Sequence, residues 1–247
     1  MSTDLPAFRL HPCADVEQLA KCFAGTRRVR IQPFLEESVA VALYRHLEER
    51  TDWRQVLNSG STLFELDRRT RAELSTAKQV SLDEAVWQGA KSGFQHRYES
   101  LRLHDGDEPK ETKASSLDGF TRWLSSGSTR AFLRRITGME DIDFADGQAT
   151  AYAPGDFLTG HDDAVPGKRR AAAYVLGLTP VWRLEWGGLL LFHGPGGAVS
   201  GLMPGFNTLD LFAVPQMHSV SAVVPAAAQR RYAITGWLRK ARSDQSV

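Results

Sequence analysis

"GQATAYAPGDFLTGHDD", residues 147 to 163, marks the point where the chain changes character and its fold is decided. It opens a series of short apolar runs bounded by Pro and Gly: "RRAAAYVLGL" (169 to 178), "RLEWGGLLLF" (183 to 192), "NTLDLFAV" (207 to 214), "MHSVSAVV" (217 to 224) and "QRRYAITGWL" (229 to 238). Evenly spaced strands of this kind predict a closed sandwich or jelly roll, because alternating βαβ units would need helical crossovers between them.

The preceding half is punctuated differently. In "FLEESVAVALYRHLEER" (34 to 50) Val39, Ala42, Leu43 and Leu47 share one face at helical period, with Glu36 and Glu37 at the positive end of the dipole. "SLDEAVW" places Ser81 and Glu84 at capping-box spacing, which predicts a helix from Leu82 to about Ser92. "GFQHRYESLRL" (93 to 103) alternates Phe94, His96 and Tyr98 against Gln95, Arg97 and Glu99, the pattern of a strand with one buried face. Residues 104 to 116 hold no apolar side chain larger than alanine and read as a solvated loop, a place for a substrate lid. Two short helices follow, around "LDGFTRWL" and "STRAFLRRI", separated by Gly127 and closed by Gly138. The expected architecture is α+β: one domain over 1–247, with mainly helical support and early strands in 1–146 and the β core in 147–240.

The length of 247 residues suits one large domain, and 30 basic against 29 acidic residues leave a net charge of +1. Such a balance provides no field to draw in nucleic acid or an anionic membrane. The first residues lack the basic start and apolar run of a signal peptide, and no segment has the length of a membrane span, so a soluble, cytoplasmic protein is expected. Cys13 and Cys22, the only cysteines, lack zinc-site spacing and read as ordinary buried or half-exposed thiols.

The chemistry gathers around His161. Oxygen-activating mononuclear iron sites commonly use two histidines and one carboxylate on a single face. His161 and Asp163 are two apart, so on a strand both leave from the same side, while Asp162 points away. The third ligand must come from a distant strand, with His193 and His218 as candidates. His193 ends an apolar run at a Gly-Pro turn, whereas His218 opens a strand and is better placed. Thirteen residues later, Arg231 shares its face with Ala233 and Thr235, which leave room for a cavity, and Arg230 shares the opposite face with Tyr232 and Ile234. A buried guanidinium beside a metal calls for an anion, and its fork pairs best with a carboxylate held bidentate. The basic run Lys168 to Arg170 reads as a solvated face.

His161-x-Asp163, His218 and "RYAITGW" together resemble the 2-oxoglutarate and Fe(II)-dependent oxygenases, specifically their prolyl 4-hydroxylase-like branch. The likeness is closest over residues 147 to 238, and "RIQPFLEESVAVAL" is similar to that branch's helical support layer. The resemblance implies a double-stranded β-helix, with His161, Asp163 and His218 as iron ligands. It implies Arg231 as the partner of the distal carboxylate of 2-oxoglutarate, and Tyr152 and Tyr174 as pocket tyrosines, with Val175 in place of Tyr174 if the alignment shifts by one. Thr235 is expected to add a weaker bond from the pocket wall.

The cofactors implied are Fe(II), 2-oxoglutarate as cosubstrate and O2, with ascorbate as an accessory reductant. The implied reaction hydroxylates a C–H bond, first of all on a prolyl residue of a protein or peptide, with a small molecule as the alternative substrate. Cosubstrate decarboxylation to succinate and CO2 accompanies it. Two rival classes stand beside this reading. A non-catalytic metal-binding jelly-roll module would leave Arg231 facing an empty pocket at a desolvation cost. A nucleic-acid binder using Arg134, Arg135 and Lys168 to Arg170 lacks an aromatic-interleaved basic strand.

Overall fold

Residues that alternate large and small along the second half pair into one continuous antiparallel sheet. A computed structural model describes residues 5–12, 14–103 and 117–241. In chain order the first elements are α1 (Val16–Thr26), β1 (Arg28–Ile31), α2 (Glu37–Glu49), β2 (Arg54–Ser59), β3 (Thr62–Asp67), α3 (Arg68–Ala72) and α4 (Thr76–Ser92). β4 (His96–Arg102), α5 (Asp118–Leu124), α6 (Gly127–Thr137), β5 (Ile142–Tyr152), β6 (Phe157–His161) and β7 (Arg170–Leu178) follow. β8 (Leu190–His193), β9 (Val199–Leu202), β10 (Phe206–Ala213), β11 (His218–Val220) and β12 (Arg231–Lys240) complete the chain.

The strands run in the order β1-β10-β7-β12-β5-β4-β6-β11-β8-β9, with β2 paired to both β4 and β3, and the sheet curls into a half-barrel. Alternation sorts its two faces. Tyr174, Leu176, Tyr232 and Ile234 enter the large core shared with the helices, where α2 contributes Val39, Ala40, Leu43 and Leu47 and α5 contributes Phe120. Ala173, Val175 and Ala233 turn the other way and pack with Leu190, Phe192 and Phe212 on the inner face. Strand periodicity therefore buries the helix-facing set and leaves the opposite set around a cavity.

Several expectations from sequence change here. The β core begins at Ile142, five residues ahead of Gly147, and the N-terminal half supplies β1 and β4 to the same sheet. Ala40, not Ala42, is the fully buried alanine of α2. α4 starts at Thr76 because Ser75 caps it by accepting from the Lys78 amide; Ser81 lies inside the helix. Gly127 opens α6 instead of separating two helices, while Gly138 closes it in the left-handed conformation, as expected. "RLEWGGLLLF" and "MHSVSAVV" yield only the short strands β8 and β11.

β4 is buried on both faces, since Arg97 and Glu99 are neutralised by ion pairs to Asp156 and to Arg68 and Arg71. Cys22 is a free thiol at the surface, and Cys13 and the expected loop at 104 to 116 lie outside the described residues. Among the described residues, no helix is long and apolar enough to cross a membrane.

Candidate metal centre

β6 and β11 are hydrogen-bonded neighbours, and their register sets His161 directly opposite His218. This pairing brings together side chains far apart in sequence, leaving the two imidazole rings 4.1 Å apart between centroids. Asp163 reaches them by another route than strand alternation. β6 ends at His161, and Asp163 sits two residues beyond it with φ +64. Aspartate is among the few residue types that tolerate this left-handed conformation, and the turn swings its carboxylate back toward both rings. Asp163 Oδ1 lies 3.5 Å from His161 Nε2 and Oδ2 lies 3.5 Å from His218 Nε2. One donor atom from each of the three residues falls within 4.8 Å of the others.

The imidazoles are oriented for ligation. His161 Nδ1 faces the Thr159 carbonyl at 3.1 Å and His218 Nδ1 faces the Gln216 carbonyl at 2.7 Å. A carbonyl only accepts, so each Nδ1 carries the proton and each Nε2 presents a lone pair to the cluster. Burial, with His161 nearby, lowers the His218 pKa to about 4 and keeps that ring neutral at ordinary pH. Burial works against the charge of Asp163, but its contacts with His161 and His218 hold its pKa below the usual carboxylate value. Two imidazoles and one carboxylate form a donor set that fits Fe(II).

Asp162 stays outside the cluster, its Oδ1 accepting from the Ala164 amide at 3.0 Å. His193 is also outside, with Nε2 2.8 Å from Ser219 Oγ.

A cavity of about 390 Å³ opens in front of the three ligand candidates. Arg231 enters it from β12, directly across the sheet from Tyr152 on β5. Its guanidinium is 5.1 Å from the Tyr152 ring centroid, and the residue is only 4% exposed. Among the described residues, no carboxylate lies within 4.0 Å of this cation. Asp210 influences it electrostatically but is held by Arg30 through two hydrogen bonds, at 2.6 and 2.8 Å. Gly188, at φ +64, gives the arginine its space, because a Cβ there would stand 3.3 Å from Arg231 Cδ. The buried cation beside the ligand cluster thus lacks an anion that the protein itself could supply. Such a site suits a carboxylate ligand.

Residues 147–239 match the family model described as the 2OG-Fe(II) oxygenase superfamily. Over these residues the chain is similar to the 2-oxoglutarate–Fe(II) oxygenases. The chain is similar to prolyl 3-hydroxylase OGFOD1 of Mus musculus, with 29% identity over 153 residues that cover 58% of this chain and 27% of the relative. It therefore spans about a quarter of the length of that relative. A prolyl-4-hydroxylase from Pseudomonas putida superposes with a TM-score of 0.60 at 17% identity, covering 92% of this chain and 100% of that one. A Trichoplax adhaerens prolyl hydroxylase, solved with a hypoxia inducible factor peptide fragment, superposes with a TM-score of 0.57 at 16% identity, covering 91% and 89%. These likenesses make the fold prolyl 4-hydroxylase-like, a double-stranded β-helix with helices on one face. The family uses Fe(II), 2-oxoglutarate and O2.

The remaining expected site residues are distributed unevenly. Thr235 lines the cavity on the same side of β12 as Arg231. Tyr152 lines it too, stacked on Tyr98 at 5.0 Å, and burial raises its pKa well above the ordinary phenol value, which keeps the hydroxyl protonated. Tyr174 borders the cavity but its ring belongs to the helix-side core against Phe120, and its hydroxyl donates to the Asp146 carbonyl at 2.9 Å. Val175, the neighbour one position on, joins the inner cluster instead.

The basic run is not wholly solvated either. The Arg170 side chain is 14% exposed and stacks on Trp237, with Cζ 3.4 Å from the ring centroid. Sequence reasoning missed Trp237, although continuing the Arg231, Ala233, Thr235 alternation by one step would have found it. It also read the Phe94, His96, Tyr98 row as a buried strand face, whereas the row forms a wall of the cavity.

Proposed function

We propose that the protein is a 2-oxoglutarate-dependent dioxygenase that hydroxylates a prolyl residue of a protein or peptide. The observation that carries the chemistry is the pairing, in one cavity, of a His-Asp-His donor set with a buried arginine that, among the described residues, has no carboxylate within 4.0 Å. On this reading His161, His218 and Asp163 hold Fe(II) through two Nε2 atoms and a carboxylate oxygen, and Arg231 clamps the distal carboxylate of 2-oxoglutarate. Thr235 and the protonated Tyr152 hydroxyl flank that carboxylate. Ala173, Val175, Leu190 and Phe212 make an apolar wall that keeps bulk water from the reacting centre. Bound Fe(II), with 2-oxoglutarate and O2, supplies the oxidation: the C–H bond becomes C–OH, and the cosubstrate leaves as succinate and CO2.

The prolyl substrate is supported by relatives named as prolyl hydroxylases and by a neighbour solved with a peptide. A cytoplasmic setting accords with a chain whose few cysteines show no disulfide pattern. The test has two arms. Protein loaded anaerobically with Fe(II) should release succinate when 2-oxoglutarate and air are added, and the absence of succinate would overturn the dioxygenase reading. In the second arm, proline-containing proteins from cells lacking this enzyme should gain about one oxygen mass on incubation with it. Oxidation of a small metabolite, with every protein unchanged, would replace the prolyl substrate with a small-molecule one.

A further inference from the structure

Asp163 is the least conventionally placed member of the donor cluster. His161 and His218 are pinned by cross-strand pairing, whereas Asp163 lies beyond the end of β6 in a left-handed conformation. A side chain hung on such a turn needs something besides the sheet to fix its direction. Arg170, the first residue of β7, approaches it from across the turn. Its Nη1 donates to the Asp163 main-chain carbonyl at 3.1 Å and lies 3.7 Å from Asp163 Oδ1. One guanidinium thus addresses both the backbone and the side chain of the same residue, restraining the peptide that sets the turn and the carboxylate that faces the histidines.

The guanidinium is itself held from behind. It lies flat over the Trp237 ring of β12, and its Nε is buried without a hydrogen-bond partner among the described residues. A buried donor left unmade is costly, so an arginine whose only task was to close a loop would gain by turning outward to water. The rigid β12 strand therefore reaches Asp163 through Trp237 and Arg170.

We infer that Arg170 is a positioning residue for the metal centre, holding the Asp163 carboxylate in its ligating orientation. This rests on the reading of His161, Asp163 and His218 as metal ligands. The alternative effect of the same cation has the opposite sign: a positive charge beside a dication repels it, so an arginine acting only through charge would weaken metal binding, and its removal would tighten it.

The probe is Co(II), titrated into metal-free protein and followed by its visible absorption, with thermal unfolding of the metal-free form measured alongside. Arg170→Ala is expected to weaken Co(II) binding about 10- to 100-fold, the range seen when partners of metal ligands are removed. Arg170→Lys, which keeps the charge but loses the planar guanidinium that stacks on Trp237, should fall between the alanine variant and the wild type. Should Arg170→Ala fail to fold, Arg170→Lys decides alone: weaker binding supports the inference and wild-type affinity overturns it. Arg170→Ala that binds Co(II) as tightly as the wild type, or more tightly, overturns the positioning role while leaving the metal reading intact. A wild-type protein that takes up no Co(II) overturns the metal reading and the role of Arg170 together.

Discussion

Two arginine environments lie one residue apart at the start of β12, on opposite faces of the sheet, and they are supplied with counter-charge in opposite ways. On the outer face Glu99, with a side chain 2% exposed, meets Arg68 at 2.9 Å, Arg71 at 2.7 Å and Arg230 at 3.6 Å. Three cations share one carboxylate there, but their side chains are 27 to 36% exposed and water solvates the excess. On the inner face Arg231 is 4% exposed and, among the described residues, has no carboxylate within 4.0 Å. Excess positive charge at a wet surface costs little, whereas the same charge sealed in a cavity is expensive unless something else brings an anion. The outer cluster is architecture that closes on itself, and on the proposed function the inner arginine is one half of a pair.

That contrast can be broken at either face. The largest effect on stability is expected from Glu99→Ala, which removes the acceptor of the Arg68 and Arg71 hydrogen bonds and, at about 1.5 to 2 kcal/mol for each arginine, should cost about 3 to 4 kcal/mol. Burial opposes the charge of Glu99, but the Arg68 hydrogen bond and the charges of Arg230, Arg68 and Arg71 outweigh it and hold its pKa below the ordinary value. Thermal unfolding should fall by about 10 °C, with 2-oxoglutarate affinity unchanged. An affinity loss with no change in stability would mean that the outer cluster belongs to the site.

A smaller effect distinguishes Asp156, which serves the outer face through Arg97 at 3.2 Å and the Ala153 amide at 2.8 Å. Burial raises its pKa from 3.8 to about 6, against the pull of the Ala153 amide and Arg97. A folded-state pKa above the unfolded value means that its stabilising contribution is fully present below about pH 4 and is lost as pH rises through about 6. Relative to Asp156→Asn, the wild type should therefore lose up to about 3 kcal/mol between pH 4 and 7. Parallel stability-versus-pH curves for the two proteins would contradict this.

The smallest effect is expected from Asp162→Ala, which gives up one bond to the Ala164 amide. Metal stoichiometry should be unchanged, with stability shifted by less than about 0.5 kcal/mol. Metal loss equal to that of Asp163→Ala would mean that the wrong aspartate has been assigned.

Much of the inner face was legible because strand alternation is a strict rule. It separates Arg231 from Arg230 and predicts which of Tyr232 and Ala233 meets the helices. It was less useful where the chain leaves a strand. The same rule joined Asp163 to His161 for the wrong reason, since the convergence comes from a left-handed turn that only coordinates reveal. Helix starts were ambiguous for a related cause: Ser75 and Ser81 are both capping types, and it is the earlier one that accepts from an amide of the first turn, that of Lys78. The role of β4 was hidden by its neighbours, because Arg97 and Glu99 look solvent-facing until Asp156, Arg68 and Arg71 are folded against them. Arg170 looked like part of a solvated run for want of the Trp237 ring beneath it.

The most direct test of the central claim is the affinity of metal-loaded, anaerobic protein for 2-oxoglutarate in Arg231→Ala and Arg230→Ala, with metal content measured in both. Hydrogen bonds to charged groups contribute about 1.5 to 3 kcal/mol each, so losing a bidentate pair should weaken binding by about a hundredfold or more in Arg231→Ala. Metal content should stay at the wild-type level, and Arg230→Ala should bind 2-oxoglutarate within about threefold of the wild type, as expected for a side chain on the opposite sheet face. If Arg230→Ala loses affinity while Arg231→Ala keeps it, or if both bind normally, the buried cation is not the cosubstrate's partner.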